Sequence, residues 1–256
     1  MDRKLIITLI FIVLFFVAII FTTIDFVVLT ENFPKLSGYI CNIATECVGL
    51  IVTICIIQNI FDKVESKKEK EEENKKILEY SKLISIYLSY YKRAFYCVVT
   101  PIEKRDFENI EFPLEINLNN LKDLHRTTLL ITDSVKKSSV EALFEYERLL
   151  KNAFKTLIDN MNFKYNQTLR KIMLDFIMLA SISDVSSAIL DHKNYEDVLK
   201  LIEKMLESDD LENLYKEFKN NDLQSNLIMP YFMLYDSLND KQNIIIEYEK
   251  TIESLK

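Results

Sequence analysis

The chain has 256 residues, 49 % of them hydrophobic and 28 % charged, with a formal net charge of −7, two His, four Cys, two Gly and four Pro. The part from Asp62 onward is itself acidic, because only three of the 32 basic and four of the 39 acidic residues precede it; this disfavours nucleic acid as a partner, since binders of phosphate backbones carry a basic patch or stripe. Loops that cradle phosphate need several glycines for close backbone approach, and Gly38 and Gly49 do not make one.

Residues 5–24, LIITLIFIVLFFVAIIFTTI, carry no charge. Their length matches the ~20 helical residues that cross a ~30 Å hydrocarbon core, so a first membrane span is expected. A cleaved signal peptide would have an apolar region of ~7–15 residues ending in small side chains, whereas this run ends in Thr22, Thr23, Ile24 and Asp25. Residues 39–61, YICNIATECVGLIVTICIIQNIF, form a second expected span with one carboxylate, Glu46. Arg3 and Lys4 precede the first span and Lys63, Lys67, Lys68 and Lys70 follow the second, while the connector from Asp25 to Gly38 has only Lys35. Because Lys and Arg near span ends favour the cytoplasmic side, both termini are expected in the cytoplasm, with the protein in the inner (plasma) membrane. Cys41, Cys47 and Cys55 lie in the second span and Cys97 beyond it, which predicts free thiols rather than a secreted disulfide framework.

From Asp62 to Lys76 the only apolar side chain is Val64. Glu71 stands four residues before Lys75 and Glu72 four before Lys76, the favourable order for helical ion pairs, and a solvated helix continuing the second span is expected. Ile77, Tyr80, Ile84, Tyr87, Tyr91, Ala94 and Val98 then alternate by three and four, the spacing of a coiled-coil seam. Ile77, Tyr80, Ile84, Tyr87 and Tyr91 are therefore candidate oligomerisation residues, with the tyrosines read as packing groups rather than a stacking platform for bases. Pro101 and Pro113 bracket an irregular stretch that marks a break.

Beyond it, Ser138 and Glu141, Asp209 and Glu212, and Asn239 and Gln242 each have capping-box spacing and predict three helix starts. The segment Ile172 to Ile182 is apolar almost all round, which predicts a central bundle helix, with Asp175 paired to Lys171 a turn earlier. Ile245, Tyr248, Ile252 and Leu255 mark a terminal helix. With so few Gly and Pro and no sustained strand alternation, the fold class is all-α: a transmembrane hairpin at 1–61, a charged stalk and amphipathic helix at 62–100, and a cytoplasmic helical domain at 101–256.

No zinc-protease helix, nucleophile elbow or paired CxxC occurs, and His125 and His192 are distant in sequence, so no catalytic, cofactor-binding or metal-ligating residues are expected and the chain is not expected to be an enzyme. His192 and Glu196 have the spacing of a surface pair on one helix. The residue out of place is Glu46, ~10 Å into the hydrocarbon if the span begins near Tyr39. Asn42, Glu46, Gly49 and Thr53 follow a four, three, four spacing and form one polar and small stripe. On the first span Thr8, Phe11, Phe15, Ala18, Thr22 and Asp25 form a comparable seam. Two readings stand side by side: Gly49 lets two helices pack closely while Asn42 and Glu46 hydrogen-bond across a hairpin, or several copies associate and Glu46 lines a wet path.

A short basic start, two spans, the segment ECVGLIVTICIIQNIFDK at 46–63, a charged stalk and an acidic all-α domain together resemble the two-span membrane effectors of bacterial antiphage and abortive-infection systems, including those encoded beside retrons. The resemblance covers the layout of the first hundred residues. It implies a protein held quiet until infection is sensed, whose activation harms the inner membrane; the helical domain is then expected to bind a cytoplasmic protein or ligand and to form a homo-oligomer through the Ile77 to Val98 stripe. A membrane-anchored adaptor or sensor whose helical domain recruits a cytoplasmic partner is the alternative. Membrane-tethered recognition of nucleic acid is a second, disfavoured by the acidic balance.

Overall fold

The computed structural model describes residues 3–24, 34–108, 110, 112–125, 127–132, 135–182, 185–223 and 227–256. The chain divides into two compact units, Met1–Glu71 and Glu72–Lys256.

The first unit is helical. Helix α1 (Arg3–Ile24) contains no helix-breaking residue. Near its end the hydroxyls of Thr22 and Thr23 donate to the carbonyl oxygens of Ala18 and Ile19, which satisfies them within an otherwise apolar helix. Helix α2 (Pro34–Val99) starts on a proline, whose missing N–H costs nothing at the first helical position. It runs without interruption through the charged segment and is common to both units. Among the described residues one helix, within Thr45–Val99 of α2, is long and apolar enough to cross a membrane, and the described apolar part of α1, Ile10–Ile24, is shorter. The expected connector at 25–33 lies outside the described residues.

The second unit is a helical bundle with its own core, and it begins inside α2 rather than after it. From Ile77 onward α2 buries Ile84, Leu88, Tyr91 and Phe95 against α3 (Ser139–Asn160), α4 (Gln167–Ile182) and α8 (Met229–Glu253). A chain of rings ties the four helices together: Tyr91 meets Phe176 edge-on at 5.9 Å, Phe176 meets Phe154 at 5.3 Å, and Phe154 meets Tyr248 at 5.0 Å. The first two contacts are edge-on and the third is tilted, and edge-on aromatic pairs at such separations add to the area they bury. The short helices α5 (Ser186–His192), α6 (Glu196–Leu206) and α7 (Leu211–Lys219) contribute Ile189, Ile202, Leu206 and Leu211 to the same core.

α2 stops at Val99, just before Pro101, and its last carbonyls are not left bare. Arg105 donates to the carbonyls of Thr100 (2.9 Å) and Cys97, and the Asn120 amide donates to that of Val99 (2.8 Å). These groups take the place of the intrahelical donors that a helix end lacks.

The irregular stretch extends further than Pro113. It contains 3-10 turns at Ile102–Lys104 and Leu118–Asp123 and an antiparallel ribbon of β1 (Thr127–Thr132) and β2 (Val135–Ser138). The ribbon is a small addition to the helical fold class. Its strands show no sequence alternation because β1 is TTLLIT and β2 only four residues long, and the pairing carries two register shifts. β2 ends on Ser138, which caps α3 with Glu141 in the reciprocal capping box.

The other two capping motifs do not act. α7 begins after Asp210 with no side-chain cap, and Asn239 lies inside α8, whose start at Met229 is marked instead by Pro230. α4 is not covered on all sides: Ile172, Met173, Phe176 and Ala180 are buried, while Met178 and Ile182 are exposed. Among the described residues no ion pair joins Asp175 to Lys171.

Candidate functional site

The stripe of Asn42, Glu46, Gly49 and Thr53 sits on α2, and all four residues are exposed. Among the described side chains from Asn42 to Phe61, the shielded positions are Cys47, Ile51, Ile54, Cys55 and Gln58, which at 100° per residue fall on the opposite side. Among the described side chains of α1 the shielded ones are Phe11, Leu14, Val17, Ala18 and Phe21. The seam expected there therefore keeps Phe11 and Ala18, while Phe15 and Thr22 are exposed and the side chains of Thr8 and Asp25 lie outside the described residues.

Gly49 is not a point of close helix approach, because a Cβ added to it would meet nothing within 4 Å. Thr53 donates to the carbonyl of Gly49 at 2.8 Å, a bond within its own helix. Among the described residues Glu46 has no hydrogen-bond or ion-pair partner. Packing of the polar stripe against α1 is thus not what this chain's geometry provides.

In the second unit, most of the stripe at Ile77, Tyr80, Ile84, Tyr87 and Tyr91 faces the chain's own core. Ile77, Ile84 and Tyr91 are buried in their own chain's core, Tyr87 packs against that core, and only Tyr80 is exposed. A three-four apolar spacing marks a helix with one covered side, whether the cover is a second copy or the rest of the same chain. Here the same chain covers Ile77, Ile84 and Tyr91 and packs against Tyr87, and Tyr80 is left exposed.

The charged segment holds a residue that composition conceals. Glu71 pairs with Lys67 at 3.9 Å in the open, a contact of little energetic weight. Glu73, by contrast, is only 8 % exposed. Its carboxylate accepts from the backbone N–H of Lys164 (3.0 Å), the backbone N–H of Tyr165 (3.1 Å) and the Asn166 side-chain amide (2.8 Å). These donors belong to the turn immediately before α4, where a negative charge also suits the helix N-terminus.

The two histidines converge although no sequence signal pairs them. His125, just before β1, places Nε2 2.9 Å from the Tyr231 hydroxyl; His192, the last residue of α5, places Nδ1 3.4 Å from it and stacks on its ring at 6.0 Å. Tyr231 stands in the first turn of α8 and is buried. Burial pushes the His125 pKa down to about 4, helped by the charges of His192 and Lys193 and opposed by Glu141. Burial also raises the Tyr231 hydroxyl well above its ordinary range. His192 and Glu196 do not share a helix, since α5 ends at one and α6 begins at the other, and Glu196 pairs with Lys200 at 2.8 Å.

Deep in the bundle Lys241 donates to Glu147 at 2.8 Å, with the lysine side chain 2 % exposed. Among the described residues no group of three or more His, Cys, Asp and Glu is placed to hold a metal ion. Between α4 and α8 lies an open groove of about 450 Å³, lined by Asp175, Met178, Leu179, Ile182, Asp240, Asn243 and Ile244. Compared with protein-family models, curated proteins and solved structures, the chain matches none.

Proposed function

We propose that this chain is a two-span inner-membrane protein with both termini in the cytoplasm, and that it acts as an antiphage or abortive-infection effector that breaches the membrane when its helical domain is triggered. The observation that carries the reading is the direction of Glu46. An ionised acid near the bilayer centre costs ~2.5–3.5 kcal/mol, and such residues face protein or water rather than lipid. Glu46 lies with Asn42, Gly49 and Thr53 on the side of α2 opposite its shielded positions, so α1 does not cover it. Spans of further copies would cover it, with the four residues facing a common wet path. Association then runs through the spans, since Ile77, Ile84 and Tyr91 are enclosed in the bundle.

The test is dye and ion release from liposomes and from expressing cells, comparing Glu46 with Glu46→Gln. The natural chain is expected to leak and kill on induction, and the neutral variant to do so at least about tenfold more slowly, because the charge that orders water in the path is gone. Absence of leakage from both chains under every inducing condition would remove the effector reading. A membrane-anchored adaptor is favoured instead by one feature, the open groove between α4 and α8; replacement of residues 1–61 by an unrelated anchor would then preserve function.

A further inference from the structure

We infer that the groove between α4 and α8 docks a basic amphipathic helix of a partner protein. The inference starts from α4. A helix that is apolar on all sides is ordinarily covered on all sides. Here only the inner face, Ile172, Met173, Phe176 and Ala180, is covered, while Met178 is 54 % and Ile182 79 % exposed. Clustered exposed apolar side chains mark contact surfaces, and these two flank a groove rather than standing alone. Met178, Leu179, Ile182 and Ile244 give it apolar lining, and Asp175, Asp240 and Asn243 give it polar lining.

The charges select the occupant. No Lys or Arg lines the groove, and among the described residues neither Asp175 nor Asp240 has an ion pair. An occupant must bring apolar side chains for Met178, Leu179, Ile182 and Ile244 and positive charge for Asp175 and Asp240. That combination is an amphipathic helix with Leu-like anchors one turn apart and Lys or Arg beside them. A trough between two packed helices suits a third helix, whose side-chain ridges fit such a groove. A second copy meeting this face across a two-fold axis would set the two aspartates against their own counterparts, so charge argues against self-association here. Docking is independent of whether the spans open a path, and binding and leakage therefore fail separately.

The experiment uses the full-length chain in phosphatidylcholine nanodiscs, with empty nanodiscs as the blank. The probe is a fluorescent amphipathic Leu/Lys helix of about four turns, with a Leu/Glu helix of the same pattern as control. Saturable anisotropy is expected for the basic probe only, weakened about tenfold or more by Asp175→Asn with Asp240→Asn, and also by Ile182→Lys, an exposed position that the core does not use. Melting curves on the same samples verify that the variants fold. Equal binding by natural and substituted chains, equal binding of the acidic probe, or no saturable binding to the natural chain would overturn the inference. So would a dimer that Ile182→Lys abolishes.

Discussion

His125 shows how burial alone gives a residue a pH response. Its ring is held against Tyr231 and beside His192 and Lys193, in a place that penalises the charged form. The folded pKa of about 4 lies below the ordinary 6.5, so on acidification the unfolded chain takes up the proton first. The stability contributed by neutral His125 is whole above about 6.5 and is lost as the pH falls toward 4. Melting temperature measured from pH 7.5 to 4 is expected to decline over that window. His125→Gln, which keeps a polar partner for the Tyr231 hydroxyl but does not titrate, is expected to flatten the decline. A profile unchanged by this substitution would place the response on other groups. Glu141 is one of these: its bonds to Ser138 and Lys193 outweigh burial and hold its pKa below the usual range, so its contribution is lost at still lower pH.

Among the elements, the joint between α2 and the turn before α4 depends on a single carboxylate. Glu73 stands in the run KEKEEENKK with neighbours of the same type, yet it alone among these glutamates is buried. Removing it takes away the acceptor of the Tyr165 N–H, while the Lys164 N–H keeps the Asn162 carbonyl (2.7 Å) and the Asn166 amide keeps the Asn74 side-chain oxygen (2.8 Å), and a buried group that loses its partner costs ~1–3 kcal/mol. Glu73→Ala is therefore expected to destabilise the bundle by about 1–3 kcal/mol, whereas Glu71→Ala, which loses only an exposed pair, is expected to stay within about 0.5 kcal/mol. Thermal unfolding in detergent followed by circular dichroism reads the difference, and equal shifts would sink the assignment. Helix starts give the parallel lesson. Ser138 and Glu141 form their box because the ribbon delivers Ser138 in extended conformation at the point where the helix begins. Asn239 has the same spacing to Gln242 but lies mid-helix, where its amide donates to Tyr235 (2.9 Å) and Gln242 turns to clasp the backbone of Leu114 (2.9 Å in each direction).

At the scale of the whole molecule, the proposed topology makes a demand that the bundle does not. If α1 and the first part of α2 cross the bilayer, the full-length chain is expected to pellet with membranes on ultracentrifugation without detergent. A tag after Lys256 is expected to react with an impermeant label only once the cells are opened. A chain that stays in the supernatant, or a tag labelled on intact cells, would end the membrane reading and the effector proposal with it. The second unit has a different kind of stability, a continuous core from Ile77 to Tyr248, and a buried Lys241–Glu147 pair that is worth keeping only while both partners are present.

The sequence by itself determined the features that are local: the uncharged run in α1, the apolar window in α2, the helical class, the cap at Ser138 and the polar residue Glu46 within an apolar run. Each follows from composition or from spacing over one or two turns, which is the range over which a helix repeats. Tertiary structure alone decided which spacings are used. It enclosed Ile77, Ile84 and Tyr91 within their own chain, chose Glu73 from a row of equivalent glutamates across 91 residues, joined Lys241 to Glu147 across 94, and brought His125 to Tyr231 across 106. Periodicity reports that a side must be covered and carries no record of what covers it, because the covering group is set by packing between segments that are neighbours only once the chain has folded.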